Sequence, residues 1–459
     1  LRLVRQRMGL RPAHGRRRPA GGGADVMRAE RPLAAYAAVT AAYWAFMLTD
    51  GALRMLVLLH FHTLGFTPVQ LAYLFLLYEL AGIVTNLSAG WIAARFGLTS
   101  TLYAGLALQI GALLALAALD PGWSLWASVG FVMAVQGVSG VAKDLAKTTS
   151  KSAVKLLAPK AEGALFRWVA VLTGSKNAVK GVGFLLGAAL LGWAGFEVAV
   201  LGMAGALAAV LVAVAALMPA GLPTGRRGAK FAEVFSKSPD VNRLSAARLF
   251  LFGARDAWFV VGVPIWFYSV LSDGTPEGNR AAFFLIGTFM AVWIIGYGAV
   301  QAAAPRILRA KGRTVREAAG LARAWVSGLA LIPLGLAAAA ALEAGAWPPA
   351  APWVASLRPG WMVPVMVGGL LAFGAVFAVN SALHSYLILA FSEAERVTMD
   401  VGFYYMANAG GRLLGTLLSG VSYQLGGLAA CLGTAAAMAA LSRICAGRLA
   451  PPARATAPA

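Results

Sequence analysis

The chain has 459 residues, of which 59% are hydrophobic and only 12% are charged. Soluble globular proteins carry about 25% charged residues, so the composition excludes that class and indicates a polytopic membrane protein. The net charge of +21 does not indicate nucleic acid as a partner, because the basic residues lie in short clusters between apolar runs, as they do in the cytoplasmic loops of membrane proteins.

The N-terminal segment 1–33 is rich in Arg, Gly and Pro and begins with Leu. It holds no apolar run long enough for a signal peptide. We expect a disordered basic tail on the cytoplasmic side. Residues 1–26 are either part of this tail or translated sequence upstream of a start at Met27.

A helix needs about 20 apolar residues to cross the hydrocarbon core, and twelve runs meet this length. The runs are 34–60, 69–94, 99–119, 123–145, 165–190, 196–218, 243–271, 281–304, 318–342, 361–390, 398–424 and 426–443. The sequence therefore predicts an all-α polytopic protein with twelve transmembrane helices.

The fourth run is followed by the basic stretch KDLAKTTSKSAVKLL. Its lysines recur at every fourth position, as Lys143, Lys147, Lys151 and Lys155. This spacing forms one stripe along a helix, so we expect an amphipathic helix that lies on the membrane surface.

The lysines and arginines outside the runs fall almost entirely on the side of the N-terminus, and only Arg280 and Arg358 fall on the other side. By the positive-inside rule both termini are cytoplasmic, and we expect the chain in a plasma membrane, the inner membrane of a bacterium. The predicted units are the N-terminal six-helix bundle 34–218, the cytoplasmic linker 219–242, the C-terminal six-helix bundle 243–443 and the cytoplasmic tail 444–459.

The two bundles share a weak internal repeat. The first and seventh runs align at Asp50 and Asp256. The fifth and eleventh runs each combine an Asn, a cation and a glycine pair whose spacing lets helices approach closely. These residues are Asn177, Lys180, Gly183 and Gly187 in the fifth run, and Asn408, Arg412, Gly411 and Gly415 in the eleventh. Parallel six-helix repeats are the arrangement of the major facilitator fold, which the sequence therefore predicts.

A loop motif of that superfamily, Gly-x-x-x-Asp-Arg-x-Gly-Arg, is partly present after the second run. Gly90, Arg95 and Gly97 match it, whereas Ala94 and Leu98 replace the Asp and the final Arg. These departures remove the charge pair between helices that the motif normally supplies.

Several charged residues lie inside the apolar runs, where each charge costs at least about 2.5 kcal/mol. The deeper cations are Arg54, Lys176, Lys180, Arg255 and Arg412, and the deeper acids are Asp50, Glu79 and Asp256. Asp50 and Arg54 are four residues apart, so we expect them to pair on one helix face. Arg248 and Arg323 lie nearer the cytoplasmic edge, where we expect them to reach the interface.

The deeper cations outnumber the deeper acids by two. Arginine does not deprotonate and an unmatched buried cation is costly. We therefore predict that these side chains bind a multiply charged anion, for which the guanidinium fork is suited. The alternative is a closed network of ion pairs that only fixes the packing of the helices.

Other polar residues in the runs are candidates for contact with the same substrate. They are Asn177, Asn380, His384 and Asn408, with Tyr404 and Tyr405 beside them. A lone His or a pair of tyrosines on an apolar helix is more often a packing residue, so that interpretation stays open. Asp50, Glu79 and Asp256 are the candidate proton carriers, because acidic residues at this depth often form proton relays.

Motifs of other function classes do not occur in the sequence. There is no Walker A, HExxH, GxSxG or haem motif. The two cysteines, Cys431 and Cys445, do not form a metal-ligand spacing with the histidines. We therefore expect no catalysis, no cofactor and no metal, and interpret the chain as a monomeric transporter that meets a small anion and the lipid bilayer.

Five stretches resemble one family of the major facilitator superfamily, the organoarsenical-efflux permeases or ArsJ family. They are LTDGALRMLVLLHFHTLGF, LYELAGIVTNL, SGVAKDLAKTTSKSAVKLL, LTGSKNAVKGVGFLLG and LSAARLFLFGARDAWFVVG, and the resemblance extends over about residues 34–445. It implies export of 1-arseno-3-phosphoglycerate, arsenate resistance and a functional partnership with glyceraldehyde-3-phosphate dehydrogenase, which makes that ester when it uses arsenate in place of phosphate.

The charge pattern agrees with this substrate, which is a multiply charged oxyanion ester. Its arsenic is pentavalent, so it does not need the thiolate ligands that trivalent arsenic favours. The alternative, which the residues leave open, is a facilitator for another organic phosphate or a sugar-acid anion.

Overall fold

A computed structural model describes residues 22–157, 164–217, 238–309, 314–345, 360–392 and 397–449. The secondary structure of these residues is α-helical throughout. The helices are α1 (Gly22–Thr63), α2 (Pro68–Phe96), α3 (Leu98–Ala117), α4 (Leu125–Leu157), α5 (Ala164–Ala194), α6 (Phe196–Leu217), α7 (Pro239–Phe259), α8 (Gly262–Leu271), α9 (Pro276–Ile307), α10 (Val315–Glu343), α11 (Met362–Phe391) and α12 (Val397–Gly447).

Eleven stretches of the described residues are long and apolar enough to cross a membrane, as expected of a polytopic protein. Helices α7 and α8 together make one of them, Pro239–Leu271. The last stretch, Asp400–Gly447, has 48 residues and would be about 72 Å long as one helix. Its backbone leaves helical geometry at Gly426 and Gly427, at the start of the last predicted run, 426–443.

The junction of α7 and α8 is a break in the seventh predicted run. Val261 has φ −126° and ψ −55°, outside helical geometry. The amides of Val261 and Gly262 both donate to the hydroxyl of Ser419 on α12, at 3.3 and 3.0 Å. A hydroxyl from another helix thus satisfies backbone donors that the break leaves without a partner in their own helix.

Glycine pairs bring two pairs of helices into backbone contact, as predicted. A Cβ on Gly183 or Gly187 of α5 would collide with the backbone of α1 at Leu48 and Ala52. A Cβ on Gly411 or Gly415 of α12 would likewise collide with the α7 backbone, at Leu249 and Gly253. Both small-xxx-small patterns therefore mark interfaces where only glycine fits.

These contacts give a different correspondence between α1 and α7 from the one predicted. Gly183 and Gly411 are the first glycines of their pairs, so Leu48 corresponds to Leu249. Arg54 and Arg255 each follow that residue by six positions. The packing therefore matches Arg54 with Arg255 rather than Asp50 with Asp256, because the glycine contacts, and not the acidic residues, set the register.

Two helix pairs join the N-terminal half, α1–α6, to the C-terminal half, α7–α12. Helix α2 packs on α12, where a Cβ on Gly420 would collide with the carbonyl of Pro68. Helix α5 packs on α9, where Gly287 lies against the backbone of Phe184 and Leu185. The Nε of Arg280 also donates to the carbonyl of Gly192, at 2.9 Å.

Several boundaries differ from the predictions because helices continue beyond the apolar runs. Helix α1 begins at Gly22, so residues 22–33 are helical rather than disordered. Helix α7 begins at Pro239 with Ser238 as its N-cap, which takes the last residues of the predicted linker. The rest of that linker, up to 237, and residues 1–21 and 450–459 lie outside the described residues.

Two further corrections concern polar segments near helix ends. Helix α4 runs to Leu157, so the lysine-rich stretch continues the fourth helix, and Lys143 is 8% exposed instead of lying on the membrane surface. Helix α2 runs to Phe96, so Gly90 and Arg95 of the loop motif are helical. The turn between α2 and α3 is Gly97, whose φ of 87° suits glycine.

Candidate anion-binding site

Glu79 of α2 lies at the centre of a buried charge cluster. Its Oε1 accepts hydrogen bonds from Nη2 of Arg54 on α1, at 2.8 Å, and from Nη2 of Arg412 on α12, at 2.5 Å. Its Oε2 has no hydrogen-bond partner among the described residues. One carboxylate oxygen thus neutralises cations of both halves and ties α2 to α12.

Asp256 of α7 is shared in the same way. Its Oδ1 accepts from Nε of Arg255 at 2.6 Å, and its Oδ2 accepts from Nε of Arg412 at 3.3 Å. Arg412 therefore contacts two carboxylates from different halves. Three arginines and two carboxylates form one chain of ion pairs, which we call the arginine cluster: Arg54, Glu79, Arg412, Asp256 and Arg255.

Asp50 has partners other than the predicted one. Its two oxygens accept from Nζ of Lys180 at 2.7 Å and from the hydroxyl of Tyr78 at 2.5 Å. Arg54 turns away from Asp50 toward α2, where its guanidinium lies 5.0 Å from the ring centre of Tyr78. Pairing across helices replaces the expected i,i+4 pair because Glu79 and the ring offer Arg54 both charge and a cation–π contact.

A second group of charges lies beside the arginine cluster, on α4. Asp144 is fully buried and forms ion pairs with Lys147 and, at 4.0 Å, with Lys143. The Nζ of Lys143 is 4.1 Å from the ring centre of Tyr78, and Lys147 also donates to the side-chain carbonyl of Asn86 at 2.7 Å. The inward position of Lys143 and Lys147 differs from the surface position that the sequence predicted.

The predicted surplus of cations takes a different form in the structure. Four of the five predicted cations, Arg54, Lys180, Arg255 and Arg412, each contact a carboxylate, so none of these four is unmatched. The cations still outnumber the acids, because some carboxylates contact two cations each. Six described cations, Arg54, Lys143, Lys147, Lys180, Arg255 and Arg412, meet four acids, Asp50, Glu79, Asp144 and Asp256.

The cations are more exposed than the carboxylates that they contact. The side chains of Glu79, Asp50 and Asp256 are 1% exposed, whereas those of Arg412 and Lys180 are 19% and 16% exposed. The accessible surface of the cluster therefore belongs mainly to the cations and not to the acids. This arrangement favours an anionic ligand.

Arg248 does not reach the cytoplasmic interface, so that prediction is wrong. It is 5% exposed. Its Nε donates to the side-chain oxygen of Asn408 on α12 at 2.9 Å, and its Nη1 donates to Oγ and the carbonyl of Ser381 on α11, at 2.9 and 3.1 Å. The guanidinium also lies 4.1 Å from the ring centre of Phe252.

The remaining candidates lie at the edge of the arginine cluster or outside it. Asn408 serves as a partner of Arg248. Asn380 and His384 are fully buried in the C-terminal half, where Asn380 donates to the carbonyl of Ala322 on α10. Lys176 and Asn177 are half-buried on α5, and Asn177 lies against Gly298 of α9. Of these, Lys176, Asn177 and Asn408 keep intermediate exposure.

Comparison with known proteins gives information on the fold. No family model matches the sequence, and no curated protein matches it. A solved structure from a study of substrate recognition in proton-dependent oligopeptide transporters aligns with 90% of this chain and 98% of its own, with a TM-score of 0.62 and 12% identity.

The chain therefore shares the fold of that solved structure. The arginine cluster lies where the two halves of the fold meet, since Glu79 and Arg412 come from α2 and α12. At 12% identity the likeness concerns the fold, and the ligand has to be argued from the residues of this chain.

Proposed function

We propose that this protein is a secondary transporter that moves an organic anion across a membrane by alternating access. The observation that carries the proposal is the arginine cluster: three arginines share two buried carboxylates at the meeting point of the halves. Arginine forks suit phosphate-like oxyanions, and the shared carboxylates leave positive charge for such a ligand to neutralise.

The proposed topology has twelve crossings in two parallel six-helix halves, with both termini in the cytoplasm. The break at Gly426–Gly427 supports the count, because it divides the 48-residue stretch into two parts that are each close to membrane thickness. The matching glycine contacts of α1 with α5 and of α7 with α12 support the relation between the halves.

In the proposed mechanism the substrate competes with carboxylates for the arginines. An anion that binds Arg255 and Arg412 takes over hydrogen bonds that Asp256 and Glu79 accept in the structure. The link between α2 and α12 through Glu79 is then weakened, so the halves can reorient. When the anion leaves, the carboxylates recover their partners, which limits the cost of the empty site.

Glu79 is the proposed coupling residue. Its Oε2 lacks a partner while its Oε1 is shared by two arginines. In the proposed exchange Oε2 takes up a proton after the anion has left to the outside, and the proton is released on the cytoplasmic side before the next anion binds, so that proton entry drives anion exit. Asp50 and Asp256 remain candidates for the same role, since both are buried beside cations.

We propose 1-arseno-3-phosphoglycerate as the substrate, exported through a bacterial inner membrane to give arsenate resistance. The support is the resemblance of the five sequence stretches to the organoarsenical-efflux permeases, together with a site rich in arginine. The proposal includes a functional partnership with glyceraldehyde-3-phosphate dehydrogenase, which would supply the ester. The alternative substrate is another organic phosphate or a sugar-acid anion.

Arsenate sensitivity tests the substrate. Cells that express this chain together with the dehydrogenase should grow at arsenate concentrations that stop cells with either protein alone. Arg412→Gln should remove this protection. The matched control is Arg443→Gln, an exposed arginine on the same helix, which should leave protection intact.

The outcome separates the two substrates. Protection without the dehydrogenase, or none with it, counts against the arseno-ester. In the second case, counterflow of labelled 3-phosphoglycerate in proteoliposomes then tests the organic-phosphate alternative, and absence of counterflow as well would contradict an organic-phosphate transporter of either kind.

A further inference from the structure

Arg248 differs from the other cations of the protein in the chemistry of its partners. Three described cations are at least nine-tenths buried, Arg54, Lys143 and Arg248. The first two contact carboxylates. Arg248 is held by the neutral groups of Asn408 and Ser381, and in the described part of the chain it forms no salt bridge.

The surroundings of Arg248 make this arrangement costly. The residues packed in its part of the C-terminal half are apolar, among them Leu244, Leu383 and the ring of Tyr404, which lies 5.0 Å from the guanidinium. Arginine cannot escape by deprotonation, and a buried charge needs a counter-charge. Asp400 is buried in the same half, but it precedes Asn408 by more than two helical turns, about 12 Å.

Buried hydrogen-bonding groups without partners lie on α11, close in sequence to Ser381. Both ring nitrogens of His384 and the Oδ1 of Asn380 have no partner among the described residues, and both residues are fully buried. His384 follows Ser381, which accepts from Arg248, by three residues on α11, so the two share a helix face. A neutral imidazole always carries one N–H donor.

We propose that a small monovalent inorganic anion, chloride in the cell, binds inside the C-terminal half between Arg248 and His384. Nη2 of Arg248, which has no hydrogen bond to the described residues, and the imidazole N–H would donate to it. A single negative charge matches the single guanidinium. The site is formed by α7, α11 and α12 of one half, so the anion is a resident one and not the transported substrate, and its existence does not depend on the proposed function.

Thermal unfolding of the purified full-length chain tests the site. Chloride is titrated against gluconate at constant ionic strength, and unfolding is followed by tryptophan fluorescence. We expect a saturable rise in Tm of roughly 2–4 °C, because a ligand that binds only the folded state stabilises it. Bromide should replace chloride. Equal Tm values in chloride and gluconate would overturn the proposal.

Three variants test whether Arg248 is responsible for the chloride-dependent shift in Tm. Arg248→Gln should abolish the chloride-dependent shift, whereas Arg443→Gln, on an exposed arginine of the same half, should keep it. Arg255→Gln should also keep it, which separates this site from the arginine cluster. A shift that survives Arg248→Gln, or that is lost only with Arg255→Gln, contradicts the proposal.

A milder variant covers the case in which Arg248→Gln does not fold. Arg248→Lys keeps the charge but loses the planar fork, so the half-saturating chloride concentration should rise about tenfold, a change of about 1.4 kcal/mol. An unchanged half-saturating concentration in this variant would place the anion elsewhere.

Discussion

The arginine cluster and the surroundings of Arg248 satisfy buried guanidinium groups in two different ways. In the cluster, Arg412 of one half is bound by Glu79 of the other half. Arg248 is bound by Asn408 and Ser381, which belong to its own half. In the proposed mechanism, charges that are compensated between halves exchange partners when the halves move, whereas charges compensated within one half keep theirs.

Replacing Arg412 should have the largest effect on the arginine cluster, because this side chain contacts two carboxylates. Arg412→Gln removes the link between the halves and a ligand of the anion. We expect transport to fall by about 30- to 4000-fold, the range for loss of one partner of a buried charge pair. Counterflow in proteoliposomes with equal protein content measures it, and near-normal transport would place the anion site elsewhere.

Glu79→Gln should separate binding from movement. The substitution removes the competitor for Arg54 and Arg412, so an organic phosphate such as 3-phosphoglycerate should bind about tenfold more tightly, while release and turnover slow. Equilibrium binding and counterflow on the same preparation report the two quantities. Weaker binding together with faster turnover would contradict the competition mechanism.

Arg255→Lys should have a smaller effect, since the charge remains. Lysine cannot form the two parallel bonds that a guanidinium gives to an oxyanion. We expect the apparent affinity for the transported anion to fall about tenfold. The substrate dependence of counterflow measures this change, and Lys180→Arg is the matched exchange on the N-terminal half, which should be tolerated better.

Gly415→Ala tests the packing under the cluster and should give the smallest loss. The new Cβ would lie 2.7 Å from the carbonyl oxygen of Gly253 and 2.9 Å from Cβ of Asp256. Overpacking of this kind costs about 1–3 kcal/mol, so we expect a lower Tm and a few-fold loss of transport. The control is Gly202→Ala, where no atom lies within 4 Å of the new Cβ. An unchanged Tm in both variants would show that the contact is unimportant.

The sequence predicted features that depend on helical spacing and composition. Apolar length gave the crossing segments, and the small-xxx-small pairs gave both close helix contacts at Gly183/Gly187 and Gly411/Gly415. The places of Arg54, Arg255 and Arg412 in the runs indicated inward side chains, and each of them contacts a buried carboxylate. These properties are local, so a single sequence is enough to predict them.

Partners across the bundle could not be predicted in the same way. Asp50 pairs with Lys180 over 130 residues of sequence, and helix rotation decides that choice. Arg248 was placed too near the interface because the apolar run begins at 243, whereas α7 begins at Pro239. Its side chain therefore lies nine residues, about 14 Å, into the helix. Lys143 was missed because it was assigned to an amphipathic surface helix after the fourth run, whereas α4 continues without a break to Leu157.

The hydroxyl of Ser419 binds two amides at the break between α7 and α8, although it lies 158 and 157 residues later in the chain. During synthesis the seventh crossing is made long before α12 exists. Until the C-terminal part of the polypeptide has been synthesised, these amides are therefore exposed in the bilayer or covered by the insertion machinery. Completion of the nascent chain is thus the event that gives this crossing its final shape.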